Sequence, residues 1–394
     1  MKALLLMRGA PGSGKSTWIR ENGLQPFTLC ADEIRLMFQG PVMDHESGRM
    51  CISQKNDHKV WKLLIDLLGE RMQRGELCIV DACHSKSQDF SRYKKLAQEH
   101  RYRVYCIDFT DVSLETCKRQ NDGREELKYV PESILENMYS RFETQTPPSF
   151  VTVIKKDDEE RIKSLIEDWV PMDFNGYDNV VVFGDIHGCF QPLESYFSTH
   201  PFNEKTAYVF TGDYIDRGIQ NREVVEWMLD NYMKPNVVLL EGNHERWLKE
   251  FANEDYDEEL KNGVKDKCKS SEFFKHTSVQ LKDFDKKKLR ELCRKFWQIC
   301  YFKFDSAKFL VSHAGVGFMP KSIMKIAADS FIRGEKYEDP IDEWFCKNNK
   351  DEDLYQIHAH RNVEKIEANK FSHSFNLCDE IEAGGWLRVM EITK

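Results

Sequence analysis

VVVFGDIHG (180–188), VFTGDYIDRG (209–218) and VVLLEGNHE (237–245) decide the fold of the second half of the chain. Each is an apolar, β-branched run that ends at a turn containing glycine, which is typical of a buried strand with a sharp turn at its carboxyl end. Ordinary turn chemistry explains one such segment but not three in succession. Three strands of this kind predict that one edge of a sheet carries Asp185, His187, Asp213, Asp216, Arg217, Asn243 and His244.

The residue types at this predicted edge indicate a metal centre. Carboxylate and amide oxygens mixed with imidazole suit Mn, Fe or Zn better than a structural cysteine site does. Asp213 is in a position to bridge two ions about 3.5–4 Å apart, which is the spacing of two-metal phosphoester hydrolases. We therefore expect two divalent transition metal ions, with manganese as the favoured metal.

These segments resemble the GDxHG, GDxxDRG and GNHE motifs of the calcineurin-like metallophosphoesterases. LVSHAGV (310–316) and IHAHRNVEKI (357–366) resemble the later motifs of that family. Ala359 stands where the family has glycine, so His358 stays an alternative to His360 as the last ligand. The resemblance implies a β-sandwich flanked by helices. The metal ligands that it implies are Asp185, His187, Asp213, Asn243, His313 and His360.

The resemblance also implies roles for three side chains that are not metal ligands. Arg217 is expected to hold the substrate phosphate. His244, oriented by Asp216, is expected to protonate the leaving oxygen.

The amino terminus carries a second phosphate-handling motif. KALLLM (2–7) leads into RGAPGSGKS (8–16), which contains the GxxxxGK[ST] phosphate loop between a predicted strand and a predicted helix. Its glycines let backbone N–H groups face a nucleotide phosphate, Lys15 adds positive charge, and Ser16 can hold Mg²⁺. The expected ligands are therefore ATP and Mg²⁺. The predicted nucleotide-binding residues are Gly12, Ser13, Gly14, Lys15, Ser16 and Thr17.

The segments after this loop bear on the acceptor of the phosphoryl group. Asp32 and Arg35 lie three residues apart in TLCADEIRLMF (28–38), so both can share one helical face. They can serve as a general base and a phosphate contact, or they can form a solvated ion pair. ELCIVDACHS (76–85) predicts a strand that ends at Asp81, near Mg²⁺ or the acceptor. The Cys83–His84 pair beside it is more typical of packing than of a metal site.

A basic turn is predicted at Lys118, Arg119 and Arg124, before a helix that Pro131 can open. Arginines between two helices can close over ATP and neutralise charge on the γ-phosphate; otherwise they are solvated surface charges. The apolar spacing predicts that one face of this helix is buried. The residues of that predicted face are Ile134, Leu135, Met138 and Phe142.

Four features together resemble the kinase module of phage and bacterial polynucleotide 5′-kinases. They are the phosphate loop, the D-x-x-R pair, the strand-end Asp and the Arg-rich segment before a V-P helix. This resemblance implies that Asp32 is the general base for a 5′-hydroxyl and that Arg35 contacts the substrate phosphate. A 5′-kinase followed by a calcineurin-like phosphatase is similar to two modules of the bacterial polynucleotide kinase-phosphatase-ligase repair enzymes. Because the ligase box K-x-[DN]-G is not found, a separate ligase is expected to act in trans.

The chain of 394 residues is long enough for two or three domains. We predict an α/β P-loop kinase over 1–150, with a parallel sheet flanked by helices, and a linker helix over 151–175. The metallophosphatase is expected over 176–394. Its charged stretch at about 248–300 is predicted to be a helical insertion that shapes the cleft, or else a solvated cap.

Composition narrows the class of protein. The chain is 41% apolar, has a formal net charge of −9 and contains 12 cysteines, with no CxxC pair. These values favour a globular protein with reduced thiols in the cytoplasm and argue against a general nucleic-acid coat protein. No apolar stretch approaches the roughly 20 residues of a membrane span, and the start does not resemble a signal peptide.

The expected function is therefore the repair of RNA or DNA strand ends: phosphorylation of 5′-hydroxyls and removal of 2′,3′-cyclic phosphate and 3′-phosphate. The alternative is a P-loop kinase fused to a protein Ser/Thr or dinucleoside polyphosphate phosphatase, which would leave oligonucleotide ends untouched. A nonenzymatic scaffold is disfavoured because no motif has decayed beyond the change at Ala359.

Overall fold

The computed structural model describes residues 2–43, 45, 48–166, 171–253, 273–361 and 371–394. The chain divides into two compact units. Unit one is Met1–Trp169 with Lys321–Ala327, and unit two is Val170–Pro320 with Ala328–Lys394.

Unit one alternates strands and helices. Its strands are β1 (Ala3–Arg8), β2 (Thr28–Cys30), β3 (Val42–Met43), β4 (Met50–Cys51), β5 (Cys78–Asp81), β6 (Arg103–Asp108) and β7 (Val151–Lys155). Its α-helices are α1 (Lys15–Glu21), α2 (Ala31–Phe38), α3 (Asp57–Gln73), α4 (Ser87–Glu99), α5 (Leu114–Asp122), α6 (Glu132–Thr144) and α7 (Glu159–Ile166). Short 3-10 turns occur at Gln25–Phe27, Glu126–Lys128 and Ile323–Lys325.

The main sheet of unit one is parallel, in the order β2-β5-β1-β6-β7. The central strand β1 is buried on both faces, because Leu4 and Leu6 join one apolar cluster while Leu5 and Met7 join another. A parallel sheet covered by helices requires such a continuously apolar strand. The phosphate loop follows the carboxyl end of this strand. The predicted fold class of the amino-terminal part is confirmed.

The first unit ends later than the predicted boundary at residue 150. β7 pairs with β6 over five residues, from Val151 opposite Val104 to Lys155 opposite Asp108. The apolar residues of β7 extend the edge of the sheet, and α7 buries Ile162 in the same core. Residues 151–155 are therefore a strand and not part of a linker helix, whereas residues 159–166 do form a helix, α7, which belongs to unit one. Residues 167–170 lie outside the described part of the chain.

Two predictions around α6 need correction. Lys118 and Arg119 lie on α5 and not in a turn, and Lys118 pairs with Glu132 and Glu136 of α6. The helix does begin after Pro131, but its predicted apolar face is only partly buried. Ile134 is 48% exposed while Leu135 is fully buried, because the helix packs against α5 over a narrow strip.

Unit two contains the remaining strands and helices. Its strands are β8 (Met172–Asp173), β9 (Asn179–Phe183), β10 (Thr206–Phe210), β11 (Val237–Leu239), β12 (Ile299–Phe304), β13 (Ala307–Ser312), β14 (Leu354–His358), β15 (Ser374–Asn376) and β16 (Val389–Thr393). Its α-helices are α8 (Phe190–Thr199), α9 (Asn221–Asn231), α10 (Glu245–Asn253), α11 (Ser278–Leu281), α12 (Lys286–Cys293), α13 (Ala328–Ile332) and α14 (Ile341–Asn348). A π-helical turn spans Phe273–Thr277, and a 3-10 turn spans Ile381–Ala383.

Two sheets form the core of unit two, in the orders β11-β10-β9-β16 and β15-β14-β13-β12-β8. Val180 and Val182 of β9 share an apolar cluster with Phe302 of the second sheet, so the sheets pack face to face. The alternate residues Val181 and Phe183 belong to the cluster that also contains residues of α9, α10 and α12. The predicted β-sandwich flanked by helices is confirmed.

The three predicted strands at the start of unit two are β9, β10 and β11, which are adjacent and parallel. Their carboxyl ends therefore meet at one edge of the sheet. In the predicted insertion at about 248–300, residues 254–272 lie outside the described part, and the described remainder is largely helical up to β12. Phe251 and Phe296 are buried in the core of unit two, so this remainder is not a solvated cap.

None of the helices in the described part of the chain combines the length and the hydropathy that crossing a bilayer requires. Every cysteine that the structure describes is a free thiol.

Candidate phosphate loop and metal centre

The phosphate loop of unit one is built on close backbone approach. Gly12 has φ +78°, and a Cβ atom there would lie 2.3 Å from the carbonyl oxygen of Cys117. Any larger residue would therefore clash with α5. Lys15 is buried and folds back, since its Nζ atom donates to the carbonyl oxygens of Gly9 and Ala10 at 2.8 Å each.

The hydroxyl of Ser16 connects the loop to the neighbouring strand. Its Oγ atom donates to Oδ2 of Asp81 at 2.6 Å, at the carboxyl end of β5. A serine hydroxyl held by a strand-end carboxylate is the donor set expected around Mg²⁺ in phosphate-loop enzymes. Of the other predicted nucleotide-binding residues, Ser13 is buried within the loop, Gly14 caps α1, and Thr17 is exposed.

Asp32 and Arg35 do pair on α2, with 2.6 Å between Oδ1 of Asp32 and Nη1 of Arg35. A third residue, which the sequence did not indicate, completes the cluster. Asp57 at the start of α3 accepts from Nε and Nη2 of Arg35 at 2.8 and 3.0 Å. This two-point contact fixes the guanidinium, whose side chain is 12% exposed, while the Asp32 side chain keeps 45% of its surface. Asp32 is thus oriented and accessible.

The two arginines predicted to close over ATP are near the surface of unit one. Arg119 is exposed in the last turn of α5, and Arg124 is half-buried just after that helix. The structure does not join either side chain to the phosphate loop by a hydrogen bond or ion pair among the described residues.

His84 is a packing residue and not a metal ligand, as the sequence indicated for the Cys83–His84 pair. It is buried, with Nδ1 2.6 Å from the Met7 carbonyl oxygen and Nε2 2.9 Å from the Tyr93 hydroxyl. Burial lowers the pKa of its imidazole to about 4. A neutral histidine with both nitrogens engaged by protein groups is unsuited to bind a metal.

The metal centre of unit two forms where β9, β10 and β11 end. The centre contains two sets of three potential ligand residues, and both sets include Asp213. They are His187, Asp213 and His244 in one set, and Asp213, His313 and His360 in the other. Within each set, the potential ligand atoms all lie within 4.8 Å of one another. A carboxylate common to two such sets has the position of a bridging ligand.

The carboxylate, amide and imidazole groups of this buried centre lie close to one another. Oδ2 of Asp213 lies 3.2 Å from Nε2 of His313 and 3.6 Å from Nε2 of His187. Asn243 places its side-chain oxygen 3.2 Å from His313 Nε2, and Asp185 Oδ1 is 3.6 Å from His313 Nδ1. The structure thus brings together every predicted metal ligand of unit two.

The choice between His358 and His360 is resolved by their partners. His358 is buried behind the centre, where its Nε2 atom is 2.9 Å from Oδ1 of Asp342. His360 faces His313, with 4.9 Å between ring centroids, and its backbone N–H donates to Asp185 Oδ2 at 3.1 Å. Ala359 between them lies outside the left-handed backbone region, so this position does not require the glycine of the family.

His244 and Asp216 form a directed pair. Nδ1 of His244 is 2.7 Å from Oδ2 of Asp216, whose other oxygen accepts from the Thr277 hydroxyl at 2.5 Å. Burial would lower the pKa of His244, but the hydrogen bond to Asp216 and the charges of Asp213, Asp216 and Glu245 together outweigh burial and raise that pKa. Thr277 comes from the insertion, and no motif in the sequence marked it.

Arg217 is placed at the rim of the centre by a carboxylate from far along the chain. Its Nη1 atom donates to Oε1 of Glu382 at 2.6 Å. Glu245, directly after the GNH motif, is fully buried and accepts from the backbone N–H groups of Asp213, Tyr214 and Gly242 at 2.8–3.0 Å. It ties the turn after β11 to the turn after β10. The sequence showed Glu245 within a motif, but its role was not predicted.

The backbone of this centre is strained. Five of its residues that are not glycine have positive φ, between +44° and +72°. They are His187, Asp213, Asp216, Arg217 and His360. Each such residue costs on the order of 1–3 kcal/mol, and such strain concentrates at functional sites.

Glycine relieves crowding in the same region. A Cβ atom at Gly242 would lie 2.2 Å from Oδ1 of Asp213, and only glycine permits this approach.

The protonation pattern fits a centre that holds cations. Burial opposes a charge on His313, but Asp213 and Asp185 outweigh it and raise its pKa to about 9. Burial, followed by the charge of His313, lowers the pKa of His360 to about 3. Oδ1 of Asp185 is buried and has no hydrogen-bond partner among the described residues. An orphaned carboxylate oxygen beside imidazoles and Asn243 fits divalent metal ions.

Comparisons with known proteins find matches in both units. A family described as AAA domain matches residues 4–145. The serine/threonine-protein phosphatase 6 catalytic subunits of Caenorhabditis elegans and Drosophila melanogaster are 46% and 41% identical over 68 residues. These 68 residues are 17% of this chain and 20–22% of the relatives, so the chain spans about a fifth of the curated relatives it matches.

Among solved structures, a mutant cold-active protein tyrosine phosphatase is 15% identical, with a TM-score of 0.36 over 57% of this chain and 78% of that one. The family described as calcineurin-like phosphoesterase matches residues 179–384, which is more than half of the chain and includes every predicted metal ligand of unit two. The chain therefore belongs to the calcineurin-like phosphoesterase family.

Proposed function

We propose that the protein repairs the ends of broken nucleic acid, RNA in the first place, by two opposed reactions. Unit one would transfer the γ-phosphoryl group of ATP to a 5′-hydroxyl. Unit two would open a 2′,3′-cyclic phosphate and remove the 3′-phosphate. The observation that carries this proposal is the presence, in one chain, of an oriented Asp32–Arg35–Asp57 cluster after a phosphate loop and of a phosphoesterase centre.

A kinase and a phosphatase in one chain would cancel each other if both acted on the same phosphate group. They are productive on a break that leaves a 5′-hydroxyl on one side and a 3′-phosphate on the other. Together they convert such a break into the 5′-phosphate and 3′-hydroxyl that ligases join. A separate ligase acting in trans, in the cytoplasm, is therefore the partner that we propose.

In the kinase reaction, the 5′-oxygen would attack the γ-phosphorus as its proton passes to Asp32 and ADP leaves. Arg35 would hold the adjacent phosphate of the strand. Lys15 would balance charge on the transferred group, and Arg119 and Arg124 would do so from the lid. Ser16 and Asp81 would hold Mg²⁺, which would neutralise phosphate charge when bound.

In the phosphatase reaction, the chain's own residues would bind the phosphate and supply a proton. Arg217 would bind its oxygens, and Nε2 of His244 would protonate the leaving oxygen while Asp216 holds Nδ1. The predicted ligands, from Asp185 to His360, would hold two divalent ions, manganese in our proposal. When bound, such ions activate water and neutralise developing negative charge.

A second candidate function is favoured by the relatives, whose names mark them as serine/threonine-protein phosphatases. In that case unit two would hydrolyse phosphoproteins, or dinucleoside polyphosphates, and unit one would be an unrelated kinase. The two candidates differ in substrate more than in mechanism, because the same metal centre would activate water against phosphate esters and against the phosphoanhydrides of dinucleoside polyphosphates.

The deciding experiment uses one oligoribonucleotide with a 5′-hydroxyl and a 2′,3′-cyclic phosphate, incubated with ATP, Mg²⁺ and Mn²⁺. We expect both ends to change, giving a 5′-phosphate and a 3′-hydroxyl that mass spectrometry resolves. Lys15→Ala should leave the 5′ end unchanged, and Asp213→Asn the 3′ end. Hydrolysis of a phosphoserine peptide with both oligonucleotide ends intact would refute nucleic-acid repair.

A further inference from the structure

We propose that Tyr337 stacks on the nucleobase next to the phosphate in the metal centre, and that Arg361 holds Tyr337 there. The inference rests on the proposed function and adds the means by which unit two would recognise a nucleotide. The segment that carries Tyr337, residues 334–339, precedes α14 and contains no metal ligand, and no motif in the sequence marked it.

Tyr337 lies directly beside the last metal ligand. Its ring centroid is 5.3 Å from that of His360, with the ring planes at 79°. The residue nevertheless keeps 43% of its surface exposed. His360 shares a ligand set with Asp213 and His313. A phosphate bound at that set would therefore bring its nearest substituent to the exposed part of the Tyr337 ring.

Arg361 holds the backbone of this segment by hydrogen bonds. It is 3% exposed, and its Nη1 atom donates to the carbonyl oxygens of Lys336 and Tyr337 at 2.7 and 2.8 Å. Its Nε atom donates to Ala314 at 2.8 Å, in the turn that follows His313. One guanidinium therefore connects the backbone of Tyr337 to the metal centre.

The segment is shaped around this guanidinium. Gly334 has φ +69°, and a Cβ atom there would lie 2.2 Å from Nη2 of Arg361. Burying a guanidinium on neutral carbonyl oxygens has a solvation cost that only a full set of hydrogen bonds offsets. Arg361 stands in the motif where the resembling family has threonine. The hydrogen bonds from Arg361 to the backbone of Lys336 and Tyr337 give this departure from the family a structural role.

The chemistry of the segment favours a base over an extended strand or a peptide side chain. An aromatic face stacks on every base, which suits the ends of broken strands of any sequence. In residues 334–339 the carboxylates of Glu335, Glu338 and Asp339 outnumber the one cation, Lys336, so this segment would repel a polyanionic backbone. The inferred contact is therefore with the terminal base alone, with the remaining strand leading away from this segment.

The test compares kcat/KM for a 3′-phosphorylated oligoribonucleotide with kcat/KM for glycerol 2-phosphate, which has no base. In Tyr337→Ala, the ratio of the two should fall about 5–150-fold, mostly through the KM of the oligonucleotide. Tyr337→Phe keeps the ring and should restore the ratio. Arg361→Lys keeps the charge but loses the forked contacts, so the ratio should fall less than in Tyr337→Ala.

A second measurement does not depend on turnover. An oligonucleotide with 2-aminopurine as its 3′-terminal base loses fluorescence when that base stacks. We expect quenching on binding to the wild type and to Tyr337→Phe, and little quenching with Tyr337→Ala. Phe318→Ala, which removes another exposed aromatic of unit two, serves as the matched control and should behave as the wild type.

The outcomes separate this inference from the proposed function. Equal losses on both substrates in Tyr337→Ala, with quenching retained, would mean that the ring only positions His360, and the stacking inference would be wrong. A loss confined to a phosphotyrosine peptide would overturn it in favour of a protein substrate. A wild type that hydrolyses glycerol 2-phosphate but no oligonucleotide would refute the proposed repair function itself.

Discussion

The two units handle phosphate with sites of opposite construction. In unit one the phosphate loop is contiguous, from Gly9 to Ser16, and much of its binding surface is backbone. In unit two the centre is assembled from side chains between Asp185 and His360, delivered by separate strands. A contiguous loop is determined by local sequence, whereas a dispersed centre exists only once the sheets have formed. The two sites should therefore respond differently to mutation and to pH.

Two buried histidines make the same contrast in electrostatic terms. His84 contacts a carbonyl and a hydroxyl, and burial lowers its pKa to about 4. His313 is as deeply buried, yet Asp213 and Asp185 raise its pKa to about 9. Burial alone therefore does not determine the charge of these histidines; neighbouring carboxylates, present beside His313, do. A site that retains two buried carboxylates beside imidazoles is built for cations, which would replace the proton of His313 on binding.

The largest expected effect tests whether the two sites are independent. Asp213→Asn removes the carboxylate shared by both ligand sets, so we expect 3′-phosphate hydrolysis to fall by at least about 10³-fold. Phosphorylation of 5′-hydroxyls should stay within about twofold of the wild type, because no residue of unit one changes. Activity assays, with metal content measured by mass spectrometry, check both statements.

Lys15→Ala is the reciprocal variant and should reverse this pattern. Its loss of the buried ammonium should abolish kinase activity while the metal content of unit two stays unchanged. If either folded variant lost both activities, the two sites would not be independent.

The next effect concerns the acceptor side of unit one. Asp32→Asn keeps the size of the side chain but cannot take a proton at neutral pH. We expect phosphoryl transfer to slow by about 10²–10⁴-fold in single-turnover assays, with little change in ATP affinity. An exposed pair between Asp32 and Arg35 alone would change helix stability by only about 0.2–0.5 kcal/mol.

Asp57→Asn is the matched control, since it releases one side of Arg35 and leaves Asp32 intact. It should raise KM for the oligonucleotide more than it lowers kcat. An Asp32→Asn enzyme within about tenfold of the wild type would reduce the cluster to a surface ion pair, and with it the main support for a polynucleotide acceptor.

These clusters show how far sequence reasoning extends. The phosphate loop and the turns after β9, β10 and β11 could be predicted because strand, glycine and ligand are adjacent in the sequence. Asp57, Thr277 and Glu382 could not, since they reach Arg35, Asp216 and Arg217 from 22, 61 and 165 residues away. Such contacts depend on tertiary packing, and each is a common polar residue outside any motif.

The boundary of unit one escaped prediction for a related reason. Prolines lie between α6 and residue 150, but they do not end the sheet, because β7 pairs with β6 beyond them. The β-branched run VTVIK (151–155) is a strand signal, but it is short and lies in the stretch that was assigned to the linker. Periodicity also failed on α6, where Ile134 has the spacing of a buried residue but is exposed.

A smaller effect concerns the pH dependence of hydrolysis in unit two. Asp216 raises the pKa of His244, so the proposed acid stays protonated to higher pH than an ordinary histidine. Activity should fall as the pH rises through that raised value. Asp216→Asn should move this decline to lower pH and reduce activity at pH 8 by about tenfold, less than the 10²–10⁴-fold expected for removing His244. A kcat–pH profile with unchanged alkaline limb would contradict the assignment.

His84 should give unit one a pH dependence of the opposite origin. Its pKa is about 4 when folded and near 6.5 when unfolded, so the unfolded chain takes up the proton first as the pH falls. Stability is then lost between about pH 6.5 and 4, by at most about 3 kcal/mol. Calorimetry at several pH values measures it, and the difference should vanish in His84→Gln. Loss that persists in that variant would belong to other groups.

The smallest effect tests the residue at which this chain departs from its family. Ala359 is fully buried between His358 and His360, and its backbone lies outside the left-handed region. Glycine there would gain nothing in the folded state and would add freedom to the unfolded chain. We therefore expect Ala359→Gly to lower the free energy of unfolding by about 0.5–1 kcal/mol, or about 1–4 °C in the melting temperature of unit two. Hydrolysis should stay within about twofold, because the His360 backbone N–H still donates to Asp185. Calorimetry together with the phosphatase assay decides the matter: a more active or more stable Ala359→Gly protein would mean that the alanine strains the last ligand after all.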